Sequence, residues 1–340
     1  MRSFLLCLAI AFPAMAQDTA LLRYEGADRL QKLIPAAKKE GSFMLYTSFA
    51  EKDLPRLTAA FERRYGIKVS VWRSASEKVL QRAVIETNAG RHEFDAVHTS
   101  ALEMEALYRE KILQPVAPAH GVELLAGAVR PHRSWTATYL SFWVQSYNTS
   151  LVRKQDLPQR WTDLLDPKWK GKLGIEARVP EWYATIAMDM GEEKGIRFFR
   201  ELVAKNGISV RGGHTLLNNL VIAGDVPLAL TMYQYIVEGA KRTGAPVDWF
   251  VLEPAIGRMS GAGIARHAAH PNAALLFYEF MLSREAQQVL LARDYVPTLA
   301  SLPSPLAQRR FKLIDPAAAM DQHDKWQKSF EDVIVKRSAQ

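Results

Sequence analysis

Three short hydroxyl-bearing loops, Thr47-Ser48, Arg73-Ser74-Ala75-Ser76 and Thr99-Ser100, stand at the ends of apolar stretches that read as strands, each directly before a stretch that reads as a helix. Hydroxyls in that position cap helix N-termini. They also sit where exposed backbone N–H groups and the helix dipole favour an anion. Ligands of open α/β sheets bind outside the carboxyl ends of strands, so three such loops together predict a cradle for oxygen-rich chemistry. Arg73 in the second loop and Arg178 farther along add guanidinium groups, which pair bidentately with carboxylate or phosphate oxygens. Trp182, Tyr183, Tyr233 and Tyr235 add donors and rings that could cover the rest of a small molecule. Core packing is the competing role for each aromatic, and solvated surface for each arginine.

Signatures of bond-making chemistry are missing. The chain has no G-x-S-x-G elbow, S-x-x-K, H-E-x-x-H or Walker loop. Gly261-Ala-Gly263 lacks the third glycine of a dinucleotide fingerprint and reads as a turn. His92 and His98, and likewise His267 and His270, have the wrong spacing for a zinc helix and read as surface or capping residues. A general base could come from Glu51, Glu77 or Glu181, although solvated carboxylates at helix starts are the simpler role for all three.

The elements that position these residues follow a rhythm. From residue 26 to 118 an amphipathic helix, a short apolar strand and a polar loop repeat, which is the pattern of α/β architecture. Helices over 27–39 and 52–64 stop at Gly41 and Gly66, and strands over 43–46, 68–72 and 94–98 carry the three loops. A second unit over 119–255 has a strand at 139–147, a short helix and turn at 161–169, a strand at 173–175, two helices through Lys205, a helix over 215–223 and a strand at 226–232. Residues 256–340 read as mostly helical and return to the first unit. The expected organisation is lobe I from 24–118 plus 256–340 and lobe II from 119–255, joined by more than one crossing.

At the N-terminus, Arg2, the apolar run Phe4–Phe12 and Ala14-Met15-Ala16 form an export signal with cleavage expected after Ala16. Its apolar run is too short to span a bilayer. Cys7 is the only cysteine of the 340 residues, so a processed chain would have no disulfide. The net charge of +8 biases partners toward anions. Its basic residues are interleaved with acids rather than gathered in a stripe, which argues against nucleic acid.

With these elements in place, the chain resembles the solute-binding receptors of bacterial ABC importers, in the ferric-iron branch. The resemblance rests on Leu45-Tyr-Thr-Ser48, Ser76-Glu-Lys-Val-Leu-Gln-Arg82, Glu93-Phe-Asp-Ala96, Tyr147-Asn-Thr149, Gly244-Ala-Pro-Val-Asp-Trp249 and His270-Pro-Asn-Ala-Ala274. Its most distinctive stretch is Trp161-Thr-Asp-Leu-Leu-Asp-Pro-Lys-Trp-Lys-Gly-Lys172. It implies two α/β lobes joined by a two-strand hinge, the type II periplasmic binding protein fold, with the ligand in the cleft. The function implied is a monomeric, non-enzymatic periplasmic receptor that closes on its solute and presents it to a permease of the inner membrane.

In iron-binding members a pair of neighbouring tyrosines meets the metal, and Tyr233 and Tyr235 hold the corresponding place. Here Gln234 separates them, and Thr47-Ser48-Phe49-Ala50 stands where many members have a histidine. The ligand therefore stays open between iron(III) or a ferric chelate and a small organic anion such as a carboxylate, phosphonate or phosphate ester. A hydrolase or lyase on the same scaffold, and a sensory receptor for a membrane kinase, are the alternatives.

Overall fold

The computed structural model describes residues 19–338 except positions 118, 120, 303, 305, 307 and 308. The expected export signal, residues 1–16, lies outside the described residues. Among the described residues no helix is long and apolar enough to cross a membrane.

The apolar runs pair into one sheet. In chain order its strands are β1 (Ser42–Thr47), β2 (Lys68–Arg73), β3 (Ala96–Ser100), β4 (Leu113–Gln114), β5 (Thr136–Asn148), β6 (Leu173–Glu176), β7 (Ser209–Arg211), β8 (Leu228–Tyr233), β9 (Val247–Phe250), β10 (Ala255–Ala265), β11 (Val296–Pro297) and β12 (Phe311–Leu313). The main path runs β2-β1-β3-β10-β5-β8-β6-β7. At one end β1 pairs in parallel with β2 and β3, and at the other β6 pairs in parallel with β7 and β8. Helices cover these parallel strands, as short crossover connections require, and two α/β lobes result. Gly41 and Gly66 end the helices Arg29–Glu40 and Leu54–Tyr65 in the left-handed region, φ 72° and 71°.

The lobes are joined by the two long strands. β5 and β10 pair antiparallel from Ile256↔Trp143 to Ala262↔Thr136, and each then parts toward a different lobe. β10 continues along β3, Ser260↔Ser100 to Ile264↔Ala96, while β5 continues along β8, Trp143↔Tyr233 to Tyr147↔Leu228. Every residue of β5 is buried, and seven of its 13 residues are β-branched or aromatic, types that suit a strand covered on both faces.

β10 corrects the sequence reading. The stretch after 256 was expected to be mostly helical, with Gly261-Ala-Gly263 as a turn, yet it forms an 11-residue strand. Its glycines let the backbones approach: a Cβ on Gly261 would lie 2.7 Å from the Thr136 carbonyl oxygen, and one on Gly257 would lie 2.9 Å from the Phe142 ring. Small residues in a strand mark close approach as readily as they mark a turn.

The buried apolar side chains gather in two clusters. Ala119, Ala128 and Trp135 are buried with Phe43, Phe61 and Phe277 in the first core. In contrast, Ile314, Trp326, Phe330, Val333 and Ile334 are buried with Trp182, Tyr183 and Phe199 in the second. The C-terminal helices thus pack against the helix Pro180–Asp189, where the rings of Trp326 and Tyr183 meet edge-on at 5.9 Å.

Candidate ligand site between the lobes

The three hydroxyl loops converge at the carboxyl ends of the first-lobe strands. Ser76 Oγ donates to Ser48 Oγ at 3.0 Å, and Ser48 Oγ lies 2.9 Å from Thr99 Oγ1. One hydroxyl therefore comes from each loop. The remaining residues of those loops have local work. Thr47 is fully buried and its hydroxyl accepts the Phe49 N–H at 3.0 Å. Ser100 donates to the Glu103 carboxylate one turn on. Ser74 donates its backbone N–H to Thr47 and lines a hollow with Trp72, Lys78 and Arg82. Arg73 is exposed, its Nε–H donating to the Phe49 carbonyl at 3.1 Å.

Tyr233 ends β8, directly opposite Trp143 of β5, and their rings stack at 5.5 Å. His214, which begins the helix His214–Ala223, lies 4.4 Å from the same ring. On its other side Tyr235 stacks at 5.6 Å, the planes within 10°. Arg258, projecting from β10, donates from Nη1 to Tyr233 Oη at 2.9 Å. The rings continue from Tyr235 to Tyr295 at 4.8 Å and from Tyr295 to Tyr139 at 4.7 Å, with Phe49 packed on both of the latter. A band of aromatic rings thus runs from one lobe to the other across the hinge strands.

The electrostatics single out Arg258. Burial opposes its charge, but Tyr233, Glu181 and Glu103 more than offset that and hold the guanidinium above its ordinary value. Burial pushes the Tyr233 phenol up, with Arg258 pulling the other way. Burial, then the charges of Arg258 and Arg178, drive His214 down to about 3, so its ring is neutral near pH 7. Burial raises the Glu181 carboxyl. Arg178 is exposed, 3.7 Å from Glu176. Glu176 itself is buried and accepts the backbone N–H groups of Arg178 at 2.6 Å and Gly213 at 2.9 Å. It thereby satisfies donors at two loop ends that would otherwise need partners.

Two expected site residues are corrected. Trp182 and Tyr183 are fully buried and face the second core: Trp182 packs edge-on to Trp161 at 5.5 Å, and the Tyr183 hydroxyl lies 2.9 Å from Ser329 Oγ. In the helix Pro180–Asp189, positions 182, 183, 186 and 187 form the buried face, which turns 181, 185 and 188 outward. Of the carboxylates weighed as bases, Glu51 and Glu77 are exposed and Glu181 is half-buried. His98 is not a surface residue: it is buried, its Nε2 2.8 Å from Thr138 Oγ1. His270 precedes the helix Pro271–Leu282 and holds Asp95 through its backbone N–H and Nδ1.

Sequence reasoning missed Arg258, His214, Tyr139 and Tyr295. Arg258 did leave a signal, as the one charged residue in the stretch Ala255–Ala265, where a charge is expensive without partners. For a metal, no group of three or more His, Cys, Asp or Glu side chains converges among the described residues.

Residues 92–321 match the model of the family described as "Bacterial extracellular solute-binding protein". The chain belongs to that family of bacterial extracellular solute-binding proteins. A similar protein is "Iron uptake protein A1" of Synechocystis, 26% identical over 283 residues covering 76% of each chain. Another is the "Fe(3+)-binding periplasmic protein" of Serratia marcescens, 22% identical over 265 residues, 75% of this chain and 78% of that one. Among solved structures, iron-bound HitA from Pseudomonas aeruginosa is 20% identical with a TM-score of 0.74, covering 86% of this chain and 99% of that one. AfuA from Actinobacillus pleuropneumoniae, with exogenous fructose-6-phosphate bound, is 21% identical with a TM-score of 0.72, covering 87% and 99%. A solute-binding protein captures a small ligand outside the cytoplasm and presents it to an ABC permease, and no bond is made or broken.

Proposed function

We propose that this solute-binding protein is a periplasmic receptor for a small organic anion, with iron carried, where it is carried, as the ferric complex of such an anion. The observation that carries this reading is Arg258 donating to the Tyr233 hydroxyl at 2.9 Å between the lobes. A guanidinium held charged there by Tyr233, Glu181 and Glu103 favours oxyanions and opposes a bare trivalent cation. Two phenols, one of them bonded to a cation and neither joined by a carboxylate or histidine cluster, are a thin ligand set for free Fe(III), which is held by hard, charged donors. Relatives named for iron uptake support the metal-bearing form of the ligand. In this reading the Ser48, Ser76 and Thr99 hydroxyls serve as first-lobe donors, and the exposed Arg178 and Arg73 supply further positive charge. Lobe closure over the ligand shifts the population toward the form that the permease accepts. The expected export signal at residues 1–16 supports a periplasmic, freely diffusing receptor.

The test is thermal stability of residues 17–340 with ferric chloride, ferric citrate, citrate and phosphate esters, because a ligand at about 100 times its Kd stabilises by about 2.7 kcal/mol. Ferric citrate, citrate or an ester should stabilise, and Arg258→Ala should abolish the effect. Stabilisation by ferric chloride alone, with a visible phenolate band lost in Tyr233→Phe, would establish bare iron instead.

A further inference from the structure

A cavity of about 380 Å³ that the receptor reading leaves unused has Glu181, one of the charges acting on Arg258, in its wall. Its walls come from three parts of the chain: Leu102 of the first lobe, Glu181 and Met188 from the outward face of the helix Pro180–Asp189, and Ile314 and Trp326 from the C-terminal return. The volume is that of a small-molecule pocket, and so is the composition, mostly apolar with a few polar groups. Met188 is 48% exposed although apolar, which leaves the cavity wall with hydrophobic surface still to be covered.

Glu181 joins the two regions. It lines the cavity and is also one of the charges acting on Arg258. A carboxylate at that junction repels an anionic head from the cavity and directs it to the guanidinium. Because Leu102 and the helix at 180–189 belong to different lobes, a molecule filling the cavity is gripped only when the lobes approach.

We propose that this cavity receives the apolar body of an organic anion whose charged head sits at Arg258 and Tyr233. The inference rests on the receptor reading above and narrows its ligand to anions with an apolar substituent; a hydrated ion or a compact hydrophilic chelate would leave the cavity walls uncovered.

Isothermal titration of the mature chain with matched probes tests it: methyl phosphate against phenyl phosphate, and acetate against 3-phenylpropionate, with ferric citrate as a head-only control. Burial of a phenyl ring predicts a gain of about tenfold or more for the substituted member of at least one pair. Thr185→Trp and Leu102→Trp fill the cavity from opposite lobes, so the pair remains informative if one variant does not fold. Each should remove that gain while leaving the small member within about twofold of wild type. The inference is overturned if both pairs bind within twofold while Arg258 is still needed for some head, an outcome that leaves the receptor reading intact. It is equally overturned if the preference survives both tryptophans. Failure of every probe, ferric citrate included, overturns the receptor reading and the inference with it.

Discussion

The ring of Tyr235 lies 4.8 Å from that of Tyr295 and within 29° of parallel, which fastens the end of β8 to the first lobe. Two further contacts support this junction. Arg242 pairs with Asp294 at 2.5 Å, and Asp53 holds both Arg293 at 2.6 Å and the Tyr295 hydroxyl at 3.0 Å. Contacts that exist only when lobes are together bias a receptor toward its closed form. Arg242→Ala should therefore speed ligand release by up to roughly fivefold in stopped-flow measurements. An exposed pair of this kind contributes about 0–1 kcal/mol to stability, so the unfolding midpoint should barely move. Unchanged release would mean that the pair is static decoration.

Arg258 is delivered to the cleft by a strand that crosses close to its neighbour, and Gly261 permits that approach. A methyl group there would meet the Thr136 carbonyl oxygen and the Trp135 ring, each at 2.7 Å. Backbone oxygen and a buried indole yield little, so Gly261→Ala should destabilise by about 1–3 kcal/mol in urea unfolding. A neutral result would mean that β5 and β10 are freer to separate than their register implies.

Much of the first lobe was legible because its signals are local. Gly41 and Gly66 end helices where the chain must turn left-handed, and hydroxyl residues close β1 and β3. The site was harder, because its decisive residues come from separate elements: Arg258 from β10, Tyr233 from β8, His214 from a helix start and Tyr295 from a late loop. No spacing rule connects them. Trp182 and Tyr183 misled for a related reason, since an aromatic pair after a candidate loop looks the same whether its helix turns it toward a cleft or a core. The run at 255–265 misled because three glycines and three alanines suit a turn or a closely packed strand equally well.

The C-terminal return is testable on its own. Phe330 is fully buried, 5.8 Å from the Tyr183 ring in an edge-on contact. Phe330→Ala should cost about 3–5 kcal/mol, measured by urea unfolding of the mature chain. A loss below about 1 kcal/mol would show that the tail packs loosely and that the second lobe is stable without it.

Two histidines, His98 buried and His214 half-buried, make stability depend on pH in a calculable direction. Burial drives His98 down to about 4, against about 6.5 in an unfolded chain. Between those values the unfolded state binds a proton that the folded state refuses, so stability falls as pH drops from about 6.5 toward 4, by up to about 1.4 kcal/mol per pH unit for one such group. Below about 4 both states are protonated and the effect ends. His214, driven to about 3, extends the same trend to lower pH. His98→Asn keeps a polar partner for Thr138, whose hydroxyl lies 2.8 Å from Nε2, but no longer titrates. The variant should be less stable than wild type at pH 7 through lost packing against Phe49 and Tyr139. That gap should narrow by roughly 1–3 kcal/mol between pH 7 and pH 4.5, read from urea unfolding at each pH. A gap that stays constant across the range would mean that His98 takes up its proton in the folded state, which requires a route for water to reach its ring.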